Sequence, residues 1–411
     1  MNRLDVSGLS PSTASPSAPV APPAAIPATS SRLLAAFYVC AFISVGIATP
    51  YLSPYLSDLG LSGGQIATVL SLLPICNLGV PLLWGWIADR THRHDRVLRV
   101  AAFGSALGVA LLARATTFRA ALPAYALFAV FNVGVGPVVD TLAVASSPQG
   151  RGYGRVRLWG SFGFLVAAAL GGLVLAARGS RPADPLVPLM MLGGLCAAGA
   201  MSFAIRRNPQ AHRPKPHLAD MAALWRDRRF RLLLLIAGLH WMALAPYNVF
   251  FGLLLRNRHL SPAVGGAAFA VGVIAEGAIM YWFSNLRRAF RLETLLCVAF
   301  AATVLRWALV SWVGSAFWMV ALQALHGLTF GLFWITGISL LNEIVPASVR
   351  ATGQALYLAA MLGLGSLIGY RATGLILDLF HDVGPAFRTA ALIELIPLAI
   401  VWRVRRRIPG P

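Results

Sequence analysis

Polar and apolar positions in this chain alternate on a scale of about twenty residues. Apolar runs lie at about 33–56, 64–88, 97–115, 120–145, 156–177, 186–205, 230–255, 263–284, 292–312, 316–341, 353–377 and 387–403. About 20 residues rising 1.5 Å each cross a hydrocarbon layer as a helix. A helix apolar on every side is not the surface helix of a water-soluble domain. The pattern therefore predicts an all-α integral membrane protein of twelve transmembrane helices. The polar intervals are short except 206–229, which is basic and broken by Pro214 and Pro216. A short amphipathic piece around Met221–Trp225 is expected to lie at the membrane surface. The organisation predicted is a disordered cytoplasmic tail at 1–31, rich in Pro, Ser and Ala, then a six-helix half at 32–205. A cytoplasmic linker at 206–229 leads to a second six-helix half at 230–404 and a cytoplasmic tail at 405–411.

Composition agrees. Of 411 residues 58% are hydrophobic and only 12% charged, against about 45–50% and 25% for a soluble domain, and the mean hydropathy is +0.72. A soluble enzyme is excluded. The net charge of +20 does not point to nucleic acid, because the basic residues are scattered in short clusters between apolar runs. Of the 34 Lys and Arg, seven (Arg114, Arg119, Arg178, Arg181, Arg256, Arg258, Arg388) fall in odd-numbered loops and three (Arg157, Arg306, Arg371) within runs. The rest occupy the tails and even-numbered loops. Basic residues collect on the cytoplasmic face, so both termini are predicted inside a cell (inner or plasma) membrane. Cys40, Cys76, Cys196 and Cys297 sit in apolar runs, without the spacing of a disulfide framework or a metal site.

Residues 60–90 align without gaps onto 259–289 at an offset of 199. Each stretch opens on Leu-Ser, continues as the second helix of its half and ends in a basic loop. Two pseudo-symmetric six-helix halves with a pathway between them form the arrangement of a transporter.

The loop after the second run carries Gly85, Asp89, Arg90 and Arg93. It resembles the G-x-x-x-D-R-x-x-R signature of the major facilitator superfamily. A carboxylate and a guanidinium at a cytoplasmic helix end can pair across the pathway and hold an inward gate shut. Phe131-Asn132 and the run Tyr153-Gly-Arg-Val-Arg157-Leu-Trp-Gly160 resemble the phenylpropionate permease group and, more distantly, the lactose permease family. So do Ala275-Glu276, Leu305-Arg306-Trp307 and the run Gln323-Ala-Leu-His326-Gly-Leu-Thr329-Phe330. The resemblance implies sugar-binding or proton-coupling roles for Arg157, Glu276, Arg306 and His326. The lactose permease pattern has a lysine and a glutamate where Gln323 and Thr329 stand, and aspartates where Asn248 and Phe251 stand. Losing both members of a pair leaves no orphaned charge. These departures fit the phenylpropionate group better than a lactose-like specificity.

Each ionised group at mid-bilayer costs about 2.5–3.5 kcal/mol, so the acids Asp140, Glu276 and Glu394 and the bases Arg157, Arg306 and Arg371 are functional candidates. Equal numbers suggest pairing. Asn132, Gly136 and Asp140 recur at helical spacing on one face, at the depth of Arg157. This face either lines a cavity in which Arg157 binds an anionic or hydroxylated solute, or forms a structural helix–helix contact. Glu276, in an Ala/Gly setting where the neutral form of a carboxylate is favoured, is the first candidate for proton carrier; the alternative is a permanently paired structural glutamate. His326 lies at three- or four-residue spacing from Gln323 and Phe330, and Trp334 continues the stripe. With Arg306 it is read either as a relay or as a satisfied core histidine. Asn248 and Trp334 are candidate solute contacts, His240 is read as core, and Arg371 and Glu394, at matching depth on consecutive spans, as a fixed ion pair. Trp159, Trp241, Trp282, Trp307, Phe330 and Phe333 could also wall an aromatic cavity.

The reading is a secondary transporter, taking up a small organic solute such as an aromatic or other carboxylate with a proton by alternating access. A sugar or nucleoside symporter, or an efflux antiporter of the same fold, is the alternative. No metal and no cofactor beyond the proton gradient is implied: there is no phosphate-binding Gly-x4-Gly-Lys-Ser/Thr loop, and no nucleophile–base motif of an enzyme stands in the spans. The partners expected are solute, proton and bilayer, with the chain acting as a monomer.

Overall fold

The computed structural model describes residues 30–145, 153–205, 224–346 and 349–406. The expected tails, apart from their innermost residues, and most of the 206–229 linker with the start of its amphipathic piece lie outside the described residues. Among the described residues there is no strand. The first half comprises α1 (Ser31–Asp58), α2 (Gly63–Asn77), α3 (Val80–Thr91), α4 (His94–Leu112), α5 (Phe118–Ala145), α6 (Tyr153–Ala177) and α7 (Leu186–Ser202). The second comprises α8 (Arg228–Asn257), α9 (Pro262–Ala289), α10 (Leu292–Val310), α11 (Ala316–Ile344), α12 (Thr352–Phe380) and α13 (Gly384–Arg406).

Nine of the described helices are long and apolar enough to cross a membrane. The second run is not one straight helix: α2 and α3 meet at a 44° bend, and together they would make a tenth span. The cause is Pro81, whose ring cannot follow the carbonyl of Asn77 four residues earlier, where α2 ends. The two remaining runs differ from the prediction in kind. Helix α7 has only 17 residues, and α4 opens on the polar sequence His94-Asp95-Arg96.

The internal repeat is visible as one turn built twice. After α1, the Gly60 amide donates to Ser57 O and the Leu61 amide to Leu56 O; after α8, the His259 amide donates to Arg256 O and that of Leu260 to Leu255 O. Both pairs are offset by the 199 residues of the alignment. The turn needs a left-handed residue: Gly60 adopts φ 81° without strain, while His259 holds φ 56° with a side chain. Ser62 then caps α2, its hydroxyl accepting from the Gln65 amide, and Ser261 holds the matching first position before α9 without a side-chain hydrogen bond.

The halves meet where α1 packs on α8, α2 on α12 and α6 on α9. At the end remote from the termini these contacts reach backbone distance. Pro54 has no amide to offer the carbonyl of Pro50, and that freed carbonyl lies against Gly252, where a Cβ would come within 1.9 Å of it. Gly63 and Gly374 face each other so closely that a Cβ on either would fall 2.5 Å from the other's carbonyl oxygen. Polar links close the same end. The Asp378 carboxylate on α12 accepts from the amides of Gly63 (2.5 Å) and Gly64 (2.8 Å) and from Ser62 Oγ (3.4 Å) at the start of α2. Arg256 of α8 pairs with Asp58 and donates to Ser57 Oγ at 2.5 Å and Pro54 O at 3.2 Å.

Candidate functional site

The polar residues within the spans form three groups. In the first half, Tyr38 on α1 donates its hydroxyl to Asp140 on α5. The guanidinium of Arg157 on α6 lies 4.4 Å from the Phe42 ring centroid and 5.6 Å from that of Tyr38. The matched depth of Asp140 and Arg157 is therefore real, but Tyr38 stands between them and they form no direct ion pair. Asn132 and Asp140 are half-buried, and a Cβ at Gly136 between them would meet nothing within 4 Å. This face of α5 is open at Gly136.

The second group lies across the interface on α9 and α11. Glu276 is half-buried and, among the described residues, makes no ion pair or hydrogen bond; Arg157 of the other half is the cation acting on it. Its side chain packs on Gly331, as Ala275 packs on Gly327 and Gly272 on His326. Small residues let α9 lie directly against α11 at a place where α11 is not a regular helix. Leu322–Leu325 is 3-10 and Gly327–Leu332 is π before α-geometry resumes at Phe333. Such π segments cluster at functional sites, and α12 has another at Ala359–Gly365. The stripe on α11 is an aromatic stack: His326 and Phe330 are 5.0 Å apart at 20°, Phe330 and Trp334 5.8 Å at 12°, with Trp241 of α8 5.8 Å from Trp334. Trp159 and Trp282 are 48% and 55% exposed and Trp307 is fully buried. Trp241, Phe330 and Trp334 are thus the connected members of the predicted aromatic set. Asn248 is half-buried on α8 with no hydrogen bond among the described residues.

The third group is fully buried in the second half. Arg306 donates to Thr329 Oγ1 at 2.7 Å and to Gln323 Oε1, whose amide donates to Met319 O at 2.8 Å. The guanidinium also contacts His326 Nδ1 at 3.1 Å and lies 4.3 Å from the Tyr247 ring and 4.5 Å from that of Trp307. Arginine has only donors, so Nδ1 of His326 accepts and its proton sits on Nε2. Gln323 and Thr329, the positions that depart from the lactose permease pattern, are the residues that satisfy Arg306. The expected pairing of three acids with three arginines does not occur: Arg306 is held by neutral groups.

The predicted ion pair of Arg371 with Glu394 is also replaced. Arg371 is exposed and donates to Thr68 Oγ1 on α2, in the other half. Glu394 is 0% exposed and contacts His240 Nδ1 at 2.6 Å, while His240 Nε2 is 2.9 Å from the carbonyl oxygen of Thr329. Depth alone put Arg371 and Glu394 together; α13 turns Glu394 towards α8 and α12 turns Arg371 towards α2. The missed partner, His240, had a signal: it lies twelve residues after Arg228, and Glu394 twelve before Arg406, equal depths on helices that run antiparallel.

The signature loop is satisfied within its own half. Asp89 meets His94 Nε2 at 3.3 Å, Arg93 meets Asp95 at 3.6 Å, Asp95 also binds Arg99 at 3.1 Å, and Arg90 lies 5.5 Å from the Trp86 ring. No neighbour lies within 4 Å of a Cβ at Gly85. In this conformation the expected pair across the pathway is not formed.

A model of the MFS_1 like family matches residues 32–388. The chain is 26% identical over 373 residues to the maltose permease of Geobacillus stearothermophilus, covering 90% of this chain and 93% of that one. It is 27% identical over 347 residues to the probable 3-phenylpropionic acid transporter of Escherichia coli (strain K12), covering 81% and 88%. Among solved structures, the nucleoside transporter NupG superposes with a TM-score of 0.81 at 17% identity, covering 92% of this chain and 99% of that chain. The likeness establishes the fold of a major facilitator transporter.

Proposed function

Because the chain belongs to the MFS_1 like family, and is thus a multi-pass membrane transporter of small solutes rather than an enzyme, we propose that it is a proton-coupled symporter for an organic anion with an aromatic or apolar body. The observation that carries this reading is the placement of Arg157. Its guanidinium is held by ring faces and, among the described residues, pairs with no carboxylate; the half-buried Glu276 stands across the interface and packs on the helix that carries the stacked rings of Phe330 and Trp334. A carboxylate on the solute would complete Arg157 by a two-point contact, and its body would lie on the aromatic stack. With both termini cytoplasmic, as the arginine distribution predicts, the sealed end is the periplasmic one and the conformation is inward-facing. Glu276, sharing the site with Arg157, is the proton carrier: protonated, it lets the bound anion neutralise Arg157, so that the solute site itself is neutral when the halves rock. No cofactor is needed beyond the proton gradient of the inner or plasma membrane.

A sugar or nucleoside symporter is the second reading, favoured by the names of the maltose and nucleoside relatives and by the same stack, which suits a sugar or nucleobase face. An efflux antiporter of this fold has no observation of its own here. The test uses purified protein in vesicles with an imposed pH gradient, alkaline inside, and labelled 3-phenylpropionate, maltose and uridine. Accumulation of the carboxylate, lost with a protonophore and weakened in Arg157→Lys, is expected. Accumulation of maltose or uridine with none of the carboxylate would replace the first reading by the second, and extrusion would reverse the direction.

A further inference from the structure

The contact of His240 with Glu394 has no part in the solute site described above, yet its geometry counts protons. Both residues are 0% exposed. The Nε2 atom faces a carbonyl, that of Thr329 at 2.9 Å, and a carbonyl only accepts, so Nε2 carries a proton. The Nδ1 atom faces Glu394 Oε1 at 2.6 Å, and that contact holds a second proton, on the oxygen or on the nitrogen. Without it, a carboxylate and a ring lone pair would face each other in an apolar interior. In either placement the pair is neutral overall, which is what burial demands.

We propose that His240 and Glu394 form a proton-binding site, separate from Glu276, whose occupancy is reported to the solute site through the carbonyl of Thr329. The inference rests on the proton-coupled reading above. When the shared proton leaves to water the pair becomes anionic, and the one remaining ring proton must serve either Glu394 or Thr329. It goes to Nδ1, where it faces a full negative charge, and Nε2 becomes a lone pair against the Thr329 carbonyl. That hydrogen bond is lost. Thr329 lies in the π segment Gly327–Leu332, its hydroxyl accepts from Arg306, and the segment also packs on Glu276 through Gly331. Loss of the carbonyl contact therefore loosens the one stretch of α11 that touches all three polar residues.

The rings packed on His240 are uncharged, and the fixed charge that shares Thr329 with it is Arg306. From α10 the ring of Phe300 faces His240 at 5.3 Å, and from α11 that of Phe333 at 4.0 Å. Arg306, also on α10, reaches the same Thr329 by its side chain. Tyr357 of α12 lies one turn further along α11, against Gly337. Among the described residues, His240 is the charged group that acts on Glu394. Among the described residues the Oε2 atom of Glu394 is buried without a partner, so the carboxyl is held through Oε1 alone.

The probe is the proton itself. Infrared difference spectra of the reconstituted full chain, recorded between acid and alkaline pH, should show two carboxyl bands, that of Glu394 being a protonated-carboxyl band if the shared proton sits on oxygen and a shifted carboxylate band if it sits on nitrogen. One should vanish in Glu276→Gln and the other in Glu394→Gln, with the second displaced in His240→Gln. Nitrogen-15 spectra of histidine-labelled wild type keep the proposal testable if a variant fails to fold. One ring should lose its Nε2 proton and end with a proton on Nδ1 across the transition of the second band. A Glu394→Gln spectrum identical to wild type, or no such tautomer exchange in any of the six described histidines, would overturn the dyad. If wild-type uptake of 3-phenylpropionate, maltose and uridine ignores the pH gradient while the second band titrates as described, symport fails and the proton site stands.

Discussion

The far-end seal gives the most quantitative prediction. Asp378 joins the halves by two bonds from a helix N-terminus to a carboxylate, at 2.5 and 2.8 Å. Charge-assisted hydrogen bonds contribute about 1.5–3 kcal/mol each when well shielded, and a carboxylate on a helix N-terminus about 0.3–1 kcal/mol more. Asp378 is exposed, so the lower ends apply. In the alternative conformation both partners pass to water, and the net effect of the latch is about 2–3 kcal/mol. That is roughly 30- to 150-fold in the ratio of the two conformations. The perturbation is Asp378→Ala, with Asp378→Asn keeping one acceptor and giving an intermediate effect. The assay is the rate at which a membrane-impermeant maleimide labels a single cysteine at Leu255, in a chain whose own cysteines are replaced. Leu255 is 3% exposed and lies in the wall of a cavity of about 140 Å³ under the seal. Its labelling should rise by that factor in Asp378→Ala and by less in Asp378→Asn. Equal rates in parent and Asp378→Ala would show that the seal is held by the glycine contacts and the Arg256–Asp58 link without Asp378, and that the hydrogen-bond reasoning is wrong.

Glu276→Gln should abolish accumulation driven by a pH gradient while leaving solute exchange intact; accumulation at the wild-type level would remove Glu276 as carrier. Arg306→Ala leaves Gln323, Thr329 and His326 without their donor, and orphaned buried polar groups cost about 1–3 kcal/mol each. A fall of several degrees in the thermal midpoint in detergent is expected, and an unchanged midpoint would mean that water replaces the guanidinium. In the loop between α6 and α7, the hydrogen bond from Arg178 to Asp184, 2.8 Å long, holds the Asp184 carboxyl below the usual carboxylate range. Its contribution is thus present above the unfolded value, about pH 4, and is lost as the pH falls through the lowered one. The thermal midpoint of wild type should drop more than that of Asp184→Asn on acidification through this window, and parallel profiles would contradict it.

Much of this architecture is readable without coordinates because burial in lipid leaves a coarse mark, a run of about twenty apolar residues. The repeat is equally legible, since Gly60 and His259 occupy the same left-handed position 199 residues apart. The irregularity of α11 is not, because one extra residue in a turn does not interrupt an apolar run. Its traces are Gly327 and Gly331 on either side of Thr329. Depth is legible and direction is not. Arg371 and Glu394 share a depth, and so do His240 and Glu394, but 100° per residue of helical rotation decides which partner is faced. The neutral partners of Arg306 follow from the same limit: Gln323 and Thr329 looked like the remains of a lost ion pair, and their hydrogen bonds to the guanidinium emerge only when α10 and α11 are packed.

The isolation of Arg306 among neutral groups has an electrical consequence. A guanidinium with no carboxylate beside it leaves the second half with a positive charge fixed inside the hydrocarbon layer. A full elementary charge carried across that layer exchanges about 2.3 kcal/mol with every 100 mV of transmembrane potential. When the halves rock, the water-filled side of the pathway changes, and with it the fraction of the field that lies on either side of this charge. Voltage and solute gradient therefore act on the same motion, and the protein's two conformations form a capacitor whose plates are moved by rocking and whose stored charge is one arginine.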